Sequence, residues 1–487
     1  SSNSNSNSNK NSETSSSSSG NTSHTQSFND DVRKNGSSSG DEIACAVGGP
    51  IHVLRQKEKE LEKEREYEKN KKDKEKGRQT NDYSCDTKGY IIFHPNLTIM
   101  GGRFRLIRQL GKGTFSRVFE AVDEKPFMRL SPSSTDSTQD SKSHTPAHKH
   151  VKHDCQIKRA IKIIRSIYKY QVLIFVITKK KFFFIFFKNV YGRVNYCIAK
   201  MVVAAKTELA VLQKICSNDP HEESHCVHLL ENGLYKGHPL LIFPLFGRSL
   251  YGFLVDNGYK GFTMRDVKTL ARQIIKGVAY VHKLDIIITD LKPENIVLEN
   301  DEAISHTSSN GQLYYTPKDC SIRLIDFGSA VFGRNLHHTH LIQTRHYRAP
   351  EVVYHMGWSF SADIWSIGCI LIELISGKML FNTHDSVDHL NQMSTCIGPP
   401  PEQFLNKIDD GTWDEYYTSD GRLKLAAARV SPVQCKPLRE YFTKFGNDLE
   451  AKQLFDLVCH MLQWDPSARI TAEQALLHPY FNASTSP

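Results

Sequence analysis

The sequence predicts an α+β fold, in which a group of β-strands precedes a longer stretch of mixed helical and strand patterns. Two alternating segments, "RFRLIRQL" (103–110) and "RVFEAV" (117–122), are joined by a glycine turn, and "IKRAIKII" (157–164) follows as a further strand. Helical and strand patterns then continue from residue 203 to Phe481. With 487 residues, of which 39% are hydrophobic and 24% charged, the chain is long enough to bury a sizeable core.

Composition is typical of a reduced, intracellular protein. The eleven cysteines form no C-x-x-C pair, and no apolar segment follows the N-terminus. The chain begins with Ser, so we expect it to be a fragment of a longer product. Residues 99–202 carry 21 basic and 6 acidic groups, whereas residues 203–487 carry 26 and 32. An acidic C-terminal part favours basic polypeptides as partners.

Several segments of the first third of the chain are too polar to form a core. Residues 1–40 are rich in Ser and Asn, and 129–154 form a polar insertion without periodicity. Four histidines of this insertion are candidate metal ligands: His144, His148, His150 and His153. We expect an exposed loop there, with metal binding as the alternative. Residues 56–78 alternate Glu and Lys, which predicts a solvated helix; a nuclear-import or RNA-binding patch is the alternative.

A glycine-rich segment, "GKGTFSRV" (111–118), lies between the first two predicted strands. Gly111 and Gly113 allow a hairpin turn to approach a polyphosphate closely, with backbone N–H groups facing its oxygens. Because any hairpin can contain a G-x-G, this segment alone is weak evidence. Its significance depends on the motifs that follow it along the chain.

Two acid–base pairs are expected in the folded chain. Lys162 ends "AIK" in an apolar strand, and Glu208 lies on one face of the predicted helix "AAKTELAVLQKI" (204–215). A strand lysine normally faces solvent, but a Lys–Glu pair of this kind holds an ammonium against nucleotide phosphates. Glu351 in "RAPEV" and Arg469 in "DPSARIT" form the second expected pair, which would close the C-terminal part.

Carboxylate, amide and ammonium groups cluster in two further motifs. Asp290, Lys292 and Asn295 lie in "ITDLKPENIVL", on a short loop before a strand. Such an Asp can accept a hydroxyl proton, the Lys can neutralise a phosphate, and the Asn can hold Mg²⁺. Asp326 follows an apolar strand in "IRLIDFGSA" and offers a hard oxygen ligand for Mg²⁺. A chance occurrence of all these motifs, in this order and in these strand and loop contexts, is a poor explanation of the sequence.

From about Cys85 to Phe481 the chain resembles the eukaryotic protein kinase family. The resemblance implies a two-lobed α+β fold, with a β-rich N-lobe at 82–243, a mainly helical C-lobe at 244–481 and ATP in the cleft. Residues 1–81 and 482–487 would flank the kinase domain. Carried over residue by residue, it implies catalytic Asp290 and Lys292, the Mg²⁺ ligands Asn295 and Asp326, and the ATP-binding residues Gly111, Gly113, Val118, Ala160, Lys162, Glu208, Phe243 and Phe246. Phe243 would be the gatekeeper, and Phe246 would donate its N–H to adenine. Pro244 lacks an N–H, but its position needs only a carbonyl.

Within that family, "QTRHYRAPEV", "THDSVDHLNQMSTCIGPPP" (383–401) and "CKPLREYF" resemble the LAMMER-type, or CDC-like, kinases. Seven residues fit the frame of the LAMMER motif: Asp388, His389, Leu390, Met393, Ile397, Gly398 and Pro399. The resemblance implies a dual-specificity kinase that autophosphorylates on Tyr and phosphorylates Arg/Ser-rich splicing factors. It implies a nuclear location, with the cytoplasm as a second one. We expect a monomer that contacts neither membrane nor nucleic acid directly.

Four departures from the family pattern affect these expectations. Ser116 replaces the third glycine of the phosphate loop, and the LAMMER motif differs at 391, 392, 394 and 395. Ile288 replaces a His whose loss could loosen Asp326, so a pseudokinase scaffold is the alternative function. Thr289 replaces an Arg that commonly pairs with a phosphorylated activation loop. We therefore expect little dependence on phosphorylation of that loop.

The segment 172–202 has an unusual composition. It contains "VLIFVITKKKFFFIFF", in which three lysines interrupt the apolar run. A membrane-spanning helix needs about twenty apolar residues with few charges, so the segment does not fit a membrane span. A membrane-attached kinase is therefore a disfavoured alternative. The segment also lengthens the connection between Lys162 and Glu208, and we expect it to form neither strand nor helix of the N-lobe. The segment is rich in Leu, Ile, Phe, Lys and Asn, which can all be encoded by A and T alone. It begins at Val172, whose codon starts with GT. We hypothesise a translated intron, with a genuine insertion as the alternative.

Overall fold

The computed structural model describes residues 85–86, 89–125, 157–165, 192–308, 310–333, 338–424 and 435–482, with the backbone alone at 192–202. The expectations for residues 1–81 and for the insertion at 127–155 lie outside the described residues. So does the part of the second insertion from 172 to 191.

A six-stranded antiparallel sheet forms the small lobe, in the spatial order β1-β2-β3-β4-β6-β5. Its strands are β1 (Thr98–Ile99), β2 (Phe104–Lys112), β3 (Ser116–Asp123), β4 (Lys158–Ile164), β5 (Glu231–Tyr235) and β6 (His238–Pro244). The three strands predicted in this part of the sequence are confirmed as β2, β3 and β4. Alternate side chains such as Phe104, Leu106, Ile161 and Ile163 are buried in a common apolar cluster, as period-two patterning requires.

One long helix, α1 (Gly192–Asn218), completes the small lobe. It confirms the predicted helix at 204–215 but begins twelve residues earlier. The expectation that 172–202 forms no helix is therefore wrong for residues 192–202. The physical reason is that no Pro and no further Gly interrupts the chain between Gly192 and Asn218, so helical backbone continues through it.

The large lobe is mainly helical. Its helices are α2 (Leu250–Asp256), α3 (Met264–Lys283), α4 (Pro350–Val353), α5 (Ser361–Ser376), α6 (Ser386–Ile397), α7 (Glu402–Leu405), α8 (Asp410–Tyr416), α9 (Leu449–Met461), α10 (Ala472–Leu476) and α11 (Pro479–Asn482). Short two-stranded sheets pair β7 (Ile286–Ile287) with β12 (Val331–Phe332), β8 (Ile296–Leu298) with β11 (Ile322–Leu324), and β9 (Ala303–Thr307) with β10 (Leu313–Pro317). Together the two lobes confirm the predicted α+β kinase fold.

Helix α5 forms the centre of the large lobe. All its residues from Ala362 to Ile375 are buried, as expected for a mainly apolar helix at the centre of a lobe. Helix α3 packs against α5 and α10 and presents its apolar face to them. Gly377 ends α5 with φ of 73°, and a Cβ there would collide with the Tyr259 carbonyl. Glycine satisfies both the left-handed backbone and the close approach.

The hairpin formed by β9 and β10 was not predicted from the sequence. It lies between the two strands β8 and β11, which flank the catalytic motifs. Asn257, just after α2, holds the hairpin through two hydrogen bonds with the Tyr315 backbone, of 2.8 and 2.9 Å. Among the described helices, none combines the length and apolar character that a membrane crossing requires.

Candidate active site

The glycine-rich segment forms the turn between β2 and β3. The Gly113 N–H donates to the Ser116 carbonyl at 2.8 Å, which closes the turn. Gly111 pairs with Val118, and Val118 pairs in turn with Lys162 on β4, so three predicted site residues lie on adjacent strands. Ser116 already belongs to β3, where extended backbone suits any L-residue. Its replacement of glycine therefore introduces no backbone strain.

The predicted hinge continues from β6. Phe243 pairs with Ala160 on β4, and Pro244 pairs with Arg159 at the last position of the strand. Because Pro has no N–H to donate, it is suited to a strand end. Phe246 follows two residues later and is half-buried. The residues predicted to contact adenine thus lie at the junction between the small lobe and the chain that leads to α2.

Lys162 connects the small lobe to the D-F-G segment of the large lobe. Its Nζ lies 2.6 Å from Glu208 Oε1 and 2.8 Å from Asp326 Oδ1. Burial lowers the pKa of Lys162, but the Asp326 and Glu208 carboxylates outweigh burial and raise the pKa above its ordinary value. Lys162 therefore remains charged. A Cβ at Gly328 would lie 3.0 Å from Asp326 Oδ1 and 3.3 Å from Lys162 Nζ, which explains the small residue there.

Asp290 lies at the centre of a hydrogen-bonded group on the catalytic loop. Lys292 Nζ lies 2.6 Å from Asp290 Oδ2. Thr344, from the segment before α4, donates its N–H (3.1 Å) and its hydroxyl (2.7 Å) to Asp290 Oδ1. Lys292 also donates to Thr344 Oγ1 at 3.1 Å. Thr344 was not predicted from the sequence, because a single Thr fifty-four residues from its partner carries no local signal.

Asn295 and Asp326 provide the oxygen atoms expected of a divalent-metal site. Asn295 Nδ2 donates to the Asp290 carbonyl at 3.0 Å, which orients the amide and leaves its oxygen available. Asp326 Oδ1 accepts from the Gly328 N–H at 3.2 Å, and φ of 63° at Asp326 directs its carboxylate. Hard oxygen donors of this type suit Mg²⁺, so these residues fit the ion that the sequence implies.

The D-F-G segment is tied to the catalytic loop despite the replacement at Ile288. The Thr289 hydroxyl donates to the Ser329 carbonyl at 2.8 Å. The Ile288 and Thr289 N–H groups both donate to the buried Asp363 carboxylate, at 2.8 and 2.9 Å. Thr289 thus supplies a hydrogen bond between the two segments, and the effect of Ile288 on Asp326 and on activity stays a prediction.

An aromatic stack holds the described part of the activation segment before Thr344. The ring of His338, which is 6% exposed, stacks on Trp358 with centroids 4.3 Å apart and planes at 13°. Trp358 donates its backbone N–H to the His338 carbonyl at 3.0 Å and its indole N–H to the His340 carbonyl at 2.8 Å. Burial lowers the pKa of His338, so its ring is neutral. None of these contacts requires a phosphate group.

A cavity of about 850 Å³ opens in the large lobe between α2, α5 and the segment 435–444. Its wall includes Tyr251, Tyr259 and Glu373. Burial raises the pKa of Glu373 to about 7, the Tyr347 hydroxyl opposes this from 2.7 Å, and the nearby Glu294 carboxylate raises it further. Three lysines also line the cavity: Lys378, Lys436 and Lys444. Two of them donate to backbone carbonyls, and none counters the raised pKa of Glu373.

Comparisons with known proteins agree with this geometry. The family model described as protein kinase domain matches residues 197–481. The mouse dual specificity protein kinase CLK2 is 33% identical over 409 residues, which cover 83% of this chain and 68% of the mouse protein. The serine/threonine-protein kinase AFC3 of Arabidopsis thaliana is 34% identical over 414 residues, covering 82% of this chain and 87% of the plant protein.

A solved structure supports the same assignment. The crystal structure of a kinase domain superimposes with a TM-score of 0.61 at 27% identity, covering 81% of this chain and all of the solved chain. The ion pair of Lys162 with Glu208, the carboxylate of Asp326 and the loop around Asp290 occur within this fold. The chain therefore belongs to the eukaryotic protein kinase family, within its LAMMER-type (CDC-like) branch, and is a protein kinase that uses ATP and a divalent metal ion.

Proposed function

We propose that this kinase transfers the γ-phosphate of ATP to Ser and Thr residues of Arg/Ser-rich proteins, and to its own Tyr residues. The observation that carries the substrate class is the carboxyl group of Glu373. It lies in the cavity wall with 3% of its surface exposed, and burial together with the Glu294 carboxylate raises its pKa. A guanidinium in the cavity would favour the ionised form of this carboxyl and pair with it.

In the proposed reaction Asp290 accepts the proton of the substrate hydroxyl. Its Oδ1 and Oδ2 already accept hydrogen bonds from Thr344 and Lys292, which fix the carboxylate in one orientation. Lys292 is positioned to neutralise charge on the transferred phosphoryl group. Lys162, held by Glu208, contacts the α- and β-phosphates.

The proposed nucleotide site combines the glycine turn with the hinge. Gly111, Gly113 and Val118 line the phosphates, while Ala160 and Phe243 enclose the adenine. The Phe246 N–H and the Pro244 carbonyl bond the adenine edge. We propose Mg²⁺ as the divalent ion, held by Asn295 and Asp326; when bound, it neutralises charge on the phosphate oxygens. We also propose the lobe boundary at 243/244, a monomeric enzyme and a nuclear location with a role in splicing control.

Phosphate incorporation from Mg²⁺-ATP into matched peptides tests this function. An Arg/Ser-rich peptide and a peptide in which Glu replaces each Arg have the same length and opposite side-chain charge. We expect a much lower KM for the Arg/Ser-rich peptide at low salt, and a rise of that KM with ionic strength through screening. Equal KM values would disprove the substrate class. Absence of transfer to either peptide would favour the alternative, a pseudokinase scaffold.

A further inference from the structure

Tyr90 lies directly beside the tip of the glycine turn. A tight turn fixes its backbone, since its N–H donates to Asp86 Oδ1 at 2.9 Å and its carbonyl accepts the Asp86 N–H at 2.8 Å. Its side chain is only 7% exposed. The cationic groups of Arg117 and Arg165 lie 4.8 and 5.0 Å from the ring centroid and hold the ring in place.

The Tyr90 hydroxyl is directed at two consecutive carbonyl groups of the turn. It donates to the Thr114 carbonyl at 2.7 Å and shares the same proton with the Gly113 carbonyl at 3.1 Å. The next carbonyl, that of Phe115, accepts the Arg165 N–H at 2.9 Å. The outer side of the turn is thus held by donors at three successive peptide groups.

The planarity of the peptide bond carries this restraint to the opposite side of the turn. In a trans peptide the C=O of one residue and the N–H of the next point in opposite directions. Fixing the carbonyls of Gly113 and Thr114 toward Tyr90 therefore fixes the N–H groups of Thr114 and Phe115 away from it. Neither N–H has a hydrogen-bond acceptor within the described part of the chain. Two orphan donors side by side are suited to an anion.

We propose that Tyr90 is a positioning residue for the nucleotide phosphates, which pre-orients the N–H groups of Thr114 and Phe115 through their carbonyl partners. This inference rests on the proposed nucleotide site in the glycine turn. The free turn then loses less conformational freedom when ATP binds, because its peptide planes are already set. The effect is confined to ligands that carry phosphate, since the hydroxyl contacts nothing in the predicted adenine site.

The substitution Tyr90→Phe isolates the hydroxyl, because the ring and its cation contacts remain. We expect ATP affinity, measured by equilibrium titration with Mg²⁺, to fall roughly two- to tenfold, the effect of one hydrogen bond. Adenosine, which has no phosphate, should bind wild type and variant equally, and the KM of the peptide substrate should stay unchanged. Tyr235→Phe, on the outer strand β5 of the same sheet, is the matched control and should alter neither ligand.

The affinities of Tyr90→Phe for ATP and for adenosine distinguish a specific effect on the phosphates from a general effect on the small lobe. Unchanged ATP affinity in Tyr90→Phe would overturn the proposal. An equal loss for ATP and adenosine would also overturn it, because a general loosening of the lobe would then explain the effect. Thermal unfolding of the variant would then show whether the protein is folded, with a cooperative transition, or misfolded, with none. If wild type binds adenosine but not ATP, the proposed nucleotide site itself is wrong, which this titration shows separately.

Discussion

The guanidinium of Arg469 and the carboxylate of Glu351 form two parallel hydrogen bonds of 2.6 Å each, with both side chains fully buried. The pair expected from the sequence is thus present in bidentate form. Arg469 also donates to the carbonyls of Gln463 and Ser361, and its guanidinium lies 5.1 Å from the ring centroid of Trp365. It connects α4 to the loop before α10 through the start of the central helix α5.

Arg469→Met should destabilise the large lobe by about 3–5 kcal/mol, since the buried Glu351 carboxylate loses its counter-ion. Urea unfolding measures the loss. The double variant with Glu351→Met should recover much of it, because an apolar pair leaves no buried charge. Lys318→Met, which removes a surface pair with Glu302, is the control and should change little. A double variant as unstable as Arg469→Met would contradict the explanation.

Asp290→Ala should reduce kcat by about two to four orders of magnitude, the usual contribution of a general base. ATP affinity should remain close to that of wild type, since the carboxylate contacts Lys292 and Thr344 and not the predicted nucleotide site. Single-turnover kinetics and ATP titration measure the two quantities separately. Turnover at the wild-type rate in the purified variant would remove Asp290 from the proposed mechanism.

The raised pKa of Glu373 predicts a pH-dependent substrate affinity. With a pKa of about 7, the carboxyl is mostly neutral at pH 6 and ionised at pH 8. The KM of an Arg/Ser-rich peptide should therefore fall as the pH rises through 7, and Glu373→Gln should abolish this change. A pH profile of Glu373→Gln that matches the wild type would exclude Glu373 from substrate recognition.

Stability should follow the opposite trend. The folded pKa of Glu373 lies above the value of 4.5 for the unfolded chain, so the folded state binds the extra proton between pH 4.5 and about 7. Its contribution is fully present below pH 4.5 and is lost as the pH rises through 7. Gln does not titrate, so wild type should lose stability relative to Glu373→Gln as the pH rises from 4.5 to about 7, as denaturant titrations of both proteins can measure. A stability difference that stays constant across this window would contradict the assignment.

The His338–Trp358 stack predicts an activation segment that is held without phosphorylation. His338→Ala should raise the KM of the peptide substrate several-fold, because one aromatic contact is lost. The KM of ATP should not change, and His338→Phe should restore the peptide KM by restoring a flat ring. The ring of His340 also contacts Trp358, with centroids 5.1 Å apart, so the exposed His384 provides the control variant, His384→Ala. A wild-type enzyme that loses activity after phosphatase treatment would show that phosphate, and not the stack, orders this segment.

The intron hypothesis for 172–202 predicts transcripts that join Gln171 almost directly to Ala204. A chain lacking 172–202 keeps Glu208 and the buried face of α1 at Val211, Leu212 and Ile215, so it should form the Lys162–Glu208 pair and remain active. Detection of a native peptide from this segment by mass spectrometry would overturn the hypothesis. The helix at 192–202 would then be a genuine extension of α1.

The elements predicted most closely are those with local signals. The alternation of apolar and polar residues predicted the limits of β2, β3 and β4 to within a few residues. The order of the motifs identified Lys162 and Asp326 as site residues. Tyr90 and Thr344 were missed because each acts on a distant partner, and an isolated Tyr or Thr has no periodicity. The start of α1 was missed because its first residues adjoin an irregular apolar run. The β9–β10 hairpin was not predicted because most of its residues are exposed to solvent, so its strands lack a clear alternation of apolar and polar residues.

The cavity beside Glu373 has a consequence for the design of inhibitors. Its wall contains none of the residues assigned to the nucleotide. If the proposed substrate site is correct, a compound seated there would compete with the protein substrate and leave the ATP cleft open. Its potency would then not depend on the concentration of ATP.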